Sequence, residues 1–364
     1  MRTFADPKAR RVVAGILVPV VTLVAVGAVL EAVSGGMALD FRRAYLPAAE
    51  AIAAGGSPYA VAEYVYPPSF AFALTPLTLL PDDAAALIAM FTAVALLVAT
   101  LGVLRVGDGL CYLAVFTWAP TWNEINMASI TPALALGLAL TWRHRDRAWR
   151  PAIALGLVIS AKLFLWPVFF WTLATRRLRL TLFAVVVGVG VTLGLWAVIG
   201  FQGLLGYPEL LRNFAARDSV RADSYSLVGI ATALGLDANV GHAVMLIGGV
   251  ALLVGGVRRA RRGDDRGSFF LALAAALALT PILWLHYLVL LLVPLAIARP
   301  YFTPLWLLPV VLWIGQSPMS PSGRLNMLPA LVIMVIVARL VISPLGDPLQ
   351  MRWNRDVTVR FAGD

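Results

Sequence analysis

The chain has 364 residues, of which 60% are hydrophobic and 13% are charged, and its mean hydropathy is +0.85. Soluble globular proteins carry about 25% charged residues, so this composition excludes an ordinary soluble domain. The formal net charge is +10, but the arginines lie in short blocks between apolar runs, as in the cytoplasmic loops of membrane proteins, and we expect no nucleic-acid partner.

Apolar runs predict the membrane helices. The first run, residues 12–34, is long enough to cross a core of about 30 Å, and no cleavage site for a signal peptide follows it, so we expect a retained first helix. Several later runs are short, which predicts broken or re-entrant helices and about 10–12 helical segments in all. The later runs are residues 68–81, 84–104, 110–122, 127–142, 151–174, 180–200, 239–257, 268–280, 284–298, 304–316 and 327–343.

Blocks of basic residues predict the orientation of these helices. The blocks are residues 2–11, 176–179, 258–266 and 352–360. If they are cytoplasmic, the segments 35–67 and 202–238 are extracytoplasmic loops, and residues 344–364 form a cytoplasmic tail. We interpret residues 1–364 as a single transmembrane domain, with membrane lipids as its surroundings.

The block RHRDRAWR at residues 143–150 leaves the topology open. If this block is also cytoplasmic, the run 151–174 enters the membrane and returns as a hairpin, which brings Lys162 near the outer face. If the block lies outside, the same run is one ordinary crossing. We favour the hairpin, because Lys162 and Pro167 interrupt the run.

The segment MALDFRRAYLPAAEAIAAGGSPYAVAEYVYPP, residues 37–68, combines an acid, two cations and several tyrosines. Apolar residues at helical spacing over 41–52 predict a helix lying on the membrane surface, ended by the glycines at 55–56. Such an ordered outer loop can form the floor of a site at the membrane–water boundary, with Asp40 at its start. Alternatively, Asp40 is an interfacial charge that merely ends the first helix.

Two ionisable residues lie inside apolar runs. Lys162 is one of only two lysines, and a charge within a membrane is costly unless it is paired, so Lys162 is a candidate phosphate-binding cation. Its alternative is an ammonium that reaches back to the interface. His286 follows a Thr-Pro break and is either a hydrogen-bond donor to an anionic lipid head group or part of an interfacial aromatic belt.

Two further polar segments supply candidates. In NFAARDSVRADSYSLVG, residues 213–229, Arg217 and Arg221 are interspersed with acids, which predicts either a solvated loop or an outer lid that binds a polar acceptor. NEIN, residues 123–126, is a polar island between apolar runs. Within it, Asn126 is a candidate substrate-binding residue.

Several kinds of site are not supported by the sequence. Cys111 is the only cysteine, which excludes an internal disulfide and a cysteine-based metal cluster. The sequence has no histidine pair at metal-ligand spacing, no phosphate-binding glycine-rich loop and no Ser-His-Asp signature. We expect no cofactor and no dedicated metal site.

These motifs resemble glycosyltransferase family 87. LDFRRAYLPAAEAIAAGGSPY followed by YVYPPSFAFALTPLTLLP is similar to the opening signature of that family. ALGLVISAKLFLWPVFF resembles its lysine motif, with Pro167 later than usual, and TPILWLHYLVLL resembles its Trp-x-His motif, with Thr280 and Leu283 in place of serines. In DSYSLVG, Ser226 fits the family's Ser-Leu-x-Gly pattern. The resemblance covers about residues 30–300.

The resemblance implies a GT-C fold, an all-α polytopic integral membrane protein in the plasma membrane with its site on the extracytoplasmic side. It implies transfer of a hexose, which is mannose in the best-known members, from a polyprenyl-phosphate donor to a glycan or glycolipid acceptor. By the same resemblance Asp40 is the catalytic base. The chemistry of such a transfer assigns the phosphate to Lys162, His286 and Arg42 or Arg43, and the sugars to Tyr45, Tyr59 and Tyr66. The other candidate substrate-binding residues are Asn126, Arg217, Arg221 and Ser226.

The chemistry of this reaction fits the residues. Displacing a lipid phosphate with inversion needs one base within hydrogen-bond reach of the acceptor hydroxyl. The leaving phosphate needs cations more than it needs a proton. Two rival interpretations remain at this stage: a polytopic transporter or lipid flippase with charges near the bilayer midplane, and a non-catalytic membrane scaffold.

Overall fold

The structure, a computed structural model, describes residues 7–33, 36–221, 223–316 and 327–342, and throughout these residues it contains helices and no strands. Four helices in this part of the chain are long and apolar enough to cross a membrane, and a pair bent by 118° at residues 119–143 makes a fifth if it is counted as one span. The prediction of an all-α polytopic membrane protein is therefore confirmed. The tail predicted at residues 344–364 lies outside the described residues.

The described helices alternate between long spans and short pieces. In chain order they are α1 (Pro7–Val33), α2 (Leu46–Ala53), α3 (Pro68–Leu74), α4 (Asp82–Val103), α5 (Gly109–Val115), α6 (Ala119–Met127), α7 (Thr131–Arg143), α8 (Trp149–Ala161), α9 (Val168–Ala174), α10 (Leu178–Val198), α11 (Tyr207–Asp218), α12 (Leu227–Ala233), α13 (Ala238–Arg261), α14 (Asp265–Leu279), α15 (Leu292–Ala298) and α16 (Met327–Ile342). Short 3₁₀ segments join several of them, for example Leu163–Leu165 and Leu285–Leu291.

The carboxylate of Asp265, at the start of α14, accepts hydrogen bonds from two arginines and one tryptophan. Arg145 donates to it at 2.9 Å, Arg177 donates to both of its oxygens at 2.8 and 2.9 Å, and Trp171 donates at 2.6 Å. Arg145 precedes α8 and Arg177 follows α9, so both ends of the run 149–174 lie at the same end of the bundle. The predicted hairpin is confirmed, and we call this end of the bundle the basic end.

A second carboxylate, the buried side chain of Asp108, joins α1 to the bundle. Arg10 donates to both oxygens of Asp108 at 2.6 and 3.0 Å, and the backbone N–H groups of Leu110 and Phe302 donate to the same side chain. Farther along, α1 is largely uncovered, because only 6% of its apolar window is buried. The ion pair with Asp108 thus fixes the first turns of this helix.

The first loop contains the predicted helix, but its apolar face is covered by protein. A π-helical turn at Phe41–Tyr45 runs directly into α2, and Gly55 with φ +78° follows the helix end. Phe41, Tyr45 and Leu46 are buried in the main core cluster. The aromatic residues of this turn pack against α3 and α4, so this side of the segment faces protein, and its position on the membrane surface stays a prediction.

Close packing of α8 on α10 depends on glycine. A Cβ atom added at Gly156 would lie 2.7 Å from the side chain of Val187 and 2.8 Å from the carbonyl oxygen of Ala184. Across the interface, a Cβ atom at Gly188 would lie 3.3 Å from the carbonyl oxygen of Gly156. Small residues let membrane helices approach closely, and here they set the position of the helix that leads to Lys162.

Candidate active site

A cavity of about 590 Å³ opens beside the first loop. The helix α14 begins at the basic end and leads to cavity-lining residues 284–286, so the cavity lies at the opposite end of the bundle. Its wall comes from four distant parts of the chain, which only the fold brings together. The lining residues are Leu39, Asp40, Arg43, Ala44, Tyr45, Glu63, Val65, Tyr66, Asn123, Met127, Phe214, Arg217, Asp218, Arg221, Asp223, Tyr225, Trp284, Leu285 and His286.

Seven of the twelve residues predicted from the sequence line this cavity, and five do not. Those in the wall are Asp40, Arg43, Tyr45, Tyr66, Arg217, Arg221 and His286. Those outside it are Arg42, Tyr59, Asn126, Lys162 and Ser226. The first group spans both extracytoplasmic loops predicted from the sequence, so the fold joins loops that are far apart in the chain.

Asp40 is half-buried at the start of the π-helical turn. A π-helical turn aligns residues five apart, and accordingly the Tyr45 hydroxyl donates to Asp40 Oδ2 at 3.4 Å. Burial raises the pKa of the Asp40 carboxyl, while the charge of Lys162 and the hydrogen bond from Tyr45 act in the opposite direction. The carboxyl is thus placed between an aqueous cavity and a buried polar network.

That network continues from Tyr45 into the protein. The hydroxyls of Tyr45 and Tyr66 lie 3.0 Å apart, and Lys162 Nζ donates to the Tyr66 hydroxyl at 3.3 Å. Lys162 is only 6% exposed, and its Nζ lies 3.7 Å from the centre of the Tyr287 ring. The ammonium is therefore behind the cavity wall, with Tyr66 between it and the cavity.

The arginines of the predicted outer lid pair with the acids beside them. Asp218 is 2% exposed and forms ion pairs with Arg217 at 2.8 Å and Arg221 at 3.4 Å. Arg221 also donates to both oxygens of Asp223 at 2.9 Å, and its guanidinium lies over the Trp284 ring. These contacts form one polar wall of the cavity, so the segment is an ordered part of the site.

His286 is a buried cavity residue whose Nε2 has no hydrogen-bond partner among the described residues. Its ring contacts the edge of Tyr287 at a centroid distance of 4.7 Å. Buried polar atoms are nearly always hydrogen-bonded to protein or ordered water. An unpaired nitrogen in a cavity wall is therefore a suitable contact for a ligand or a water molecule.

Two of the outlying candidates have structural partners instead. Arg42 forms an ion pair with Asp83 at 2.7 Å, which draws its guanidinium toward α4. The Ser226 hydroxyl accepts from the N–H of Gly229 at 3.1 Å and so caps the start of α12, as serine commonly does at a helix N-terminus.

Tyr59 and Asn126, like Lys162, are absent from the cavity wall. The Tyr59 hydroxyl donates to the backbone carbonyl of Tyr66 at 3.2 Å, and the Tyr59 ring stacks on Trp196. Asn126 lies on α6, but Asn123 of the same helix faces the cavity instead. Asn126 Oδ1 is buried and has no hydrogen-bond partner among the described residues.

The sequence interpretation missed two acids. Glu63 lines the cavity but stands in a loop whose tyrosines dominate the pattern. Glu124 is 0% exposed, accepts a hydrogen bond from Ser129 at 2.8 Å, and has an Oε1 atom without a partner in the described part of the chain. Its position between apolar runs was the available signal, because a carboxylate there is as costly as a lysine.

Comparison with known proteins gives one match. The model of a family described as glycosyltransferase family 87 matches residues 64–285, which is more than half of the chain. The matched range includes Tyr66, Lys162, Arg217 and Arg221 and ends one residue before His286. No curated protein and no solved structure shows significant similarity to the chain.

Proposed function

Because the chain belongs to glycosyltransferase family 87 and is therefore a glycosyltransferase, we propose that it transfers a hexose from a polyprenyl-phosphate donor to a hydroxyl group of a glycan or glycolipid. We propose mannose as the hexose and Asp40 as the general base. One observation supports this proposal above the others: Asp40 lines a cavity whose wall also includes Arg43 and His286.

The proposed reaction uses one carboxylate. An acceptor hydroxyl in the cavity gives its proton to Asp40, and its oxygen attacks the anomeric carbon of the sugar from the face opposite the phosphate. The bond between that carbon and the phosphate oxygen breaks, and the phosphate leaves with the electron pair. The configuration is thereby inverted, and no second carboxylate is needed for a nucleophile or an acid.

The leaving phosphate needs positive charge and hydrogen-bond donors. We assign this role to Arg43 and His286, which line the cavity, in preference to Arg42, which pairs with Asp83, and Lys162, which lies behind the wall. Arg217 and Arg221, held by Asp218 and Asp223, belong to the acceptor side in this proposal. A wall of paired charges offers both donors and acceptors to a polyhydroxyl acceptor.

We propose the plasma membrane as the location, with the cavity on the extracytoplasmic side. The basic residues Arg145 and Arg177 lie at the end of the bundle opposite the cavity, as their contacts with Asp265 require. Arginine-rich loops remain in the cytoplasm. Polyprenyl-phosphate donors are lipids, so a cavity at the membrane boundary gives them access without leaving the bilayer.

The decisive experiment uses the purified protein in lipid with radiolabelled polyprenyl-phosphate mannose and a panel of glycolipid and oligosaccharide acceptors. Wild type is compared with Asp40→Asn and with a matched control, Asp82→Asn, at an exposed position at the start of α4. We expect labelled product from wild type and the control, and a loss of about 10²- to 10⁴-fold in the Asp40 variant, the usual contribution of a general base.

Two outcomes would contradict the proposal. Full activity of Asp40→Asn would refute the assignment of the base. Absence of product from wild type with every acceptor, while another lipid-linked sugar supports transfer, would refute mannose as the transferred hexose.

A further inference from the structure

We propose that Lys162 is a positioning residue that acts on Asp40 through Tyr66 and Tyr45, and is not a ligand of the donor phosphate. The inference rests on the proposed role of Asp40 as base. In this role, Lys162 keeps Asp40 ionised and oriented, although Asp40 is half-buried.

The placement of Lys162 is the first step of the argument. Its side chain is 6% exposed and absent from the cavity wall, whereas Tyr66 of the first loop lies in that wall. The ammonium contacts the Tyr66 hydroxyl at 3.3 Å. A phosphate in the cavity would therefore meet Tyr66 before it met Lys162.

The direction of the hydrogen bonds is the second step. An ammonium can only donate, so the Tyr66 oxygen accepts from Lys162 and its proton is free for the Tyr45 oxygen 3.0 Å away. Tyr45 in turn donates to Asp40 at 3.4 Å. Burial raises the pKa of both tyrosines, so both remain protonated donors. Every proton in the chain then points toward Asp40, an arrangement that favours its ionised form.

Aromatic rings hold the ammonium in this place. Lys162 Nζ lies 3.7 Å from the centroid of Tyr287, 4.7 Å from that of Tyr66 and 5.8 Å from that of Phe164. Cation–π contacts of this length stabilise a desolvated ammonium. No ion pair within 4.0 Å joins Lys162 to an acid in the described part of the chain, so its charge acts on Asp40 and Glu124 at longer range.

Several other charged or titratable groups face Asp40, and the test has to separate Lys162 from them. They are Arg43 and Tyr45 of the same turn, Glu63 and Tyr66 of the first loop, Glu124 of α6, Arg217, Asp218, Arg221, Asp223 and Tyr225 of the opposite wall, and His286 and Tyr287 beyond α14. Removing one cation from this set is expected to raise the pKa of Asp40. Burial raises this pKa, and fewer positive charges would then remain to lower it.

The experiment measures Asp40 without any sugar substrate. Dicyclohexylcarbodiimide reacts with protonated carboxyl groups, and peptide mass spectrometry then gives the pH at which half of Asp40 is labelled. We expect Lys162→Met to raise this midpoint by about one pH unit, the effect of a charge roughly 10 Å away in a protein. Lys8→Met, which removes the only other lysine, is expected to leave it unchanged.

A second pair of variants tests the path. Tyr45→Phe is expected to raise the midpoint as well, and the double variant Tyr45→Phe with Lys162→Met is expected to raise it by less than the sum, because the two residues act in one chain. These tyrosine variants also keep the test decisive if Lys162→Met fails to fold. Tyr66→Phe provides the same comparison at the middle of the chain.

Different results would contradict the role of Lys162 and the proposed glycosyl transfer. An unmoved labelling midpoint in Lys162→Met, together with a raised KM for the donor, would overturn the positioning role and make Lys162 a phosphate ligand. A raised midpoint in a protein that transfers no sugar would uphold the link between Lys162 and Asp40 and would count only against the proposed donor or base.

Discussion

Burial and neighbouring groups shift the pKa of the Asp40 carboxyl in opposite directions. Burial raises its pKa, and the charge of Lys162 and the Tyr45 hydroxyl lower it. The net direction is upward, so this carboxyl takes up its proton at a higher pH than an ordinary aspartic acid does. A base that must be ionised to accept a proton then loses activity in mild acid.

This gives a prediction for the dependence of the rate on pH. Transfer should fall as the pH drops through the raised pKa of Asp40, with a slope of one proton. Folding raises this pKa, so the contribution of Asp40 to the free energy of unfolding increases as the pH falls through the same range. Activity and this contribution to stability therefore change in opposite directions. Initial rates and thermal unfolding recorded in the same buffers will check this, and a parallel loss of both would contradict it.

His286 supports a second prediction at the same scale. If its unpaired Nε2 contacts the leaving phosphate, His286→Ala should raise the KM for the donor by about tenfold or more, the effect of losing one hydrogen bond to a charged group. The matched control is His242→Ala, since His242 lies on α13 and contacts a backbone carbonyl. The KM for the donor is measured by titration in both variants. Equal KM values in His286→Ala and His242→Ala would refute a contact between His286 and the phosphate.

Single residues also show the limit of sequence interpretation. Asp40 and His286 were identified because a carboxylate and an imidazole stand out beside apolar runs. Lys162 was identified on the same signal, yet the sequence alone cannot show that Tyr66 separates it from the cavity. Glu124 escaped notice, because its burial depends on packing between α6 and the 3₁₀ segment at 285–291.

At the scale of helices, the hairpin of α8 and α9 was predictable and its packing was not. Short apolar runs interrupted by Lys162 and Pro167, with basic residues on both sides, indicate a helix pair that turns back. The contact of α8 with α10 depends on the shape of Gly156 and Gly188. Such complementarity between distant segments leaves no periodic pattern in either one.

This packing predicts a contrast between two glycines. Gly156→Ala should lower the free energy of unfolding by about 1–3 kcal/mol, because the added methyl group meets Val187 and the Ala184 carbonyl in a packed interface. Gly190→Ala meets nothing within 4 Å and should leave stability unchanged or raise it by up to about 1 kcal/mol. Thermal unfolding in one detergent compares them, and equal effects would contradict the packing described for α8 and α10.

At the scale of the whole molecule, the basic end and the cavity lie on opposite sides of the bundle. The sequence indicates this arrangement through its arginine blocks, and the contacts of Asp265 place two of those blocks together. What the sequence cannot show is that loops 35–67 and 202–238 meet in one cavity. That juxtaposition depends on the order in which the helices pack.

The proposed orientation predicts which positions are reachable from outside the cell. Cys111 is buried, and Cys111→Ser provides a background without cysteine. In that background, Leu205→Cys, at a position 95% exposed near the start of α11, should react with a membrane-impermeant maleimide in intact cells. Arg262→Cys, after α13 at the basic end, should react only after lysis. The reverse pattern would place the cavity in the cytoplasm.

The pairing of Asp265 with arginines on two earlier loops has a consequence for biosynthesis. Arg177 is synthesised 88 residues before Asp265, which corresponds to roughly 4 to 18 seconds of translation at the usual rates. In the proposed orientation, Arg145 and Arg177 lack their Asp265 partner through that interval, and their charge favours keeping these loops on the ribosome side of the membrane while α8 and α9 insert. When α14 emerges, Asp265 pairs with both arginines and joins their loops to the start of this helix. One carboxylate thus turns a temporary topological signal into a permanent structural contact.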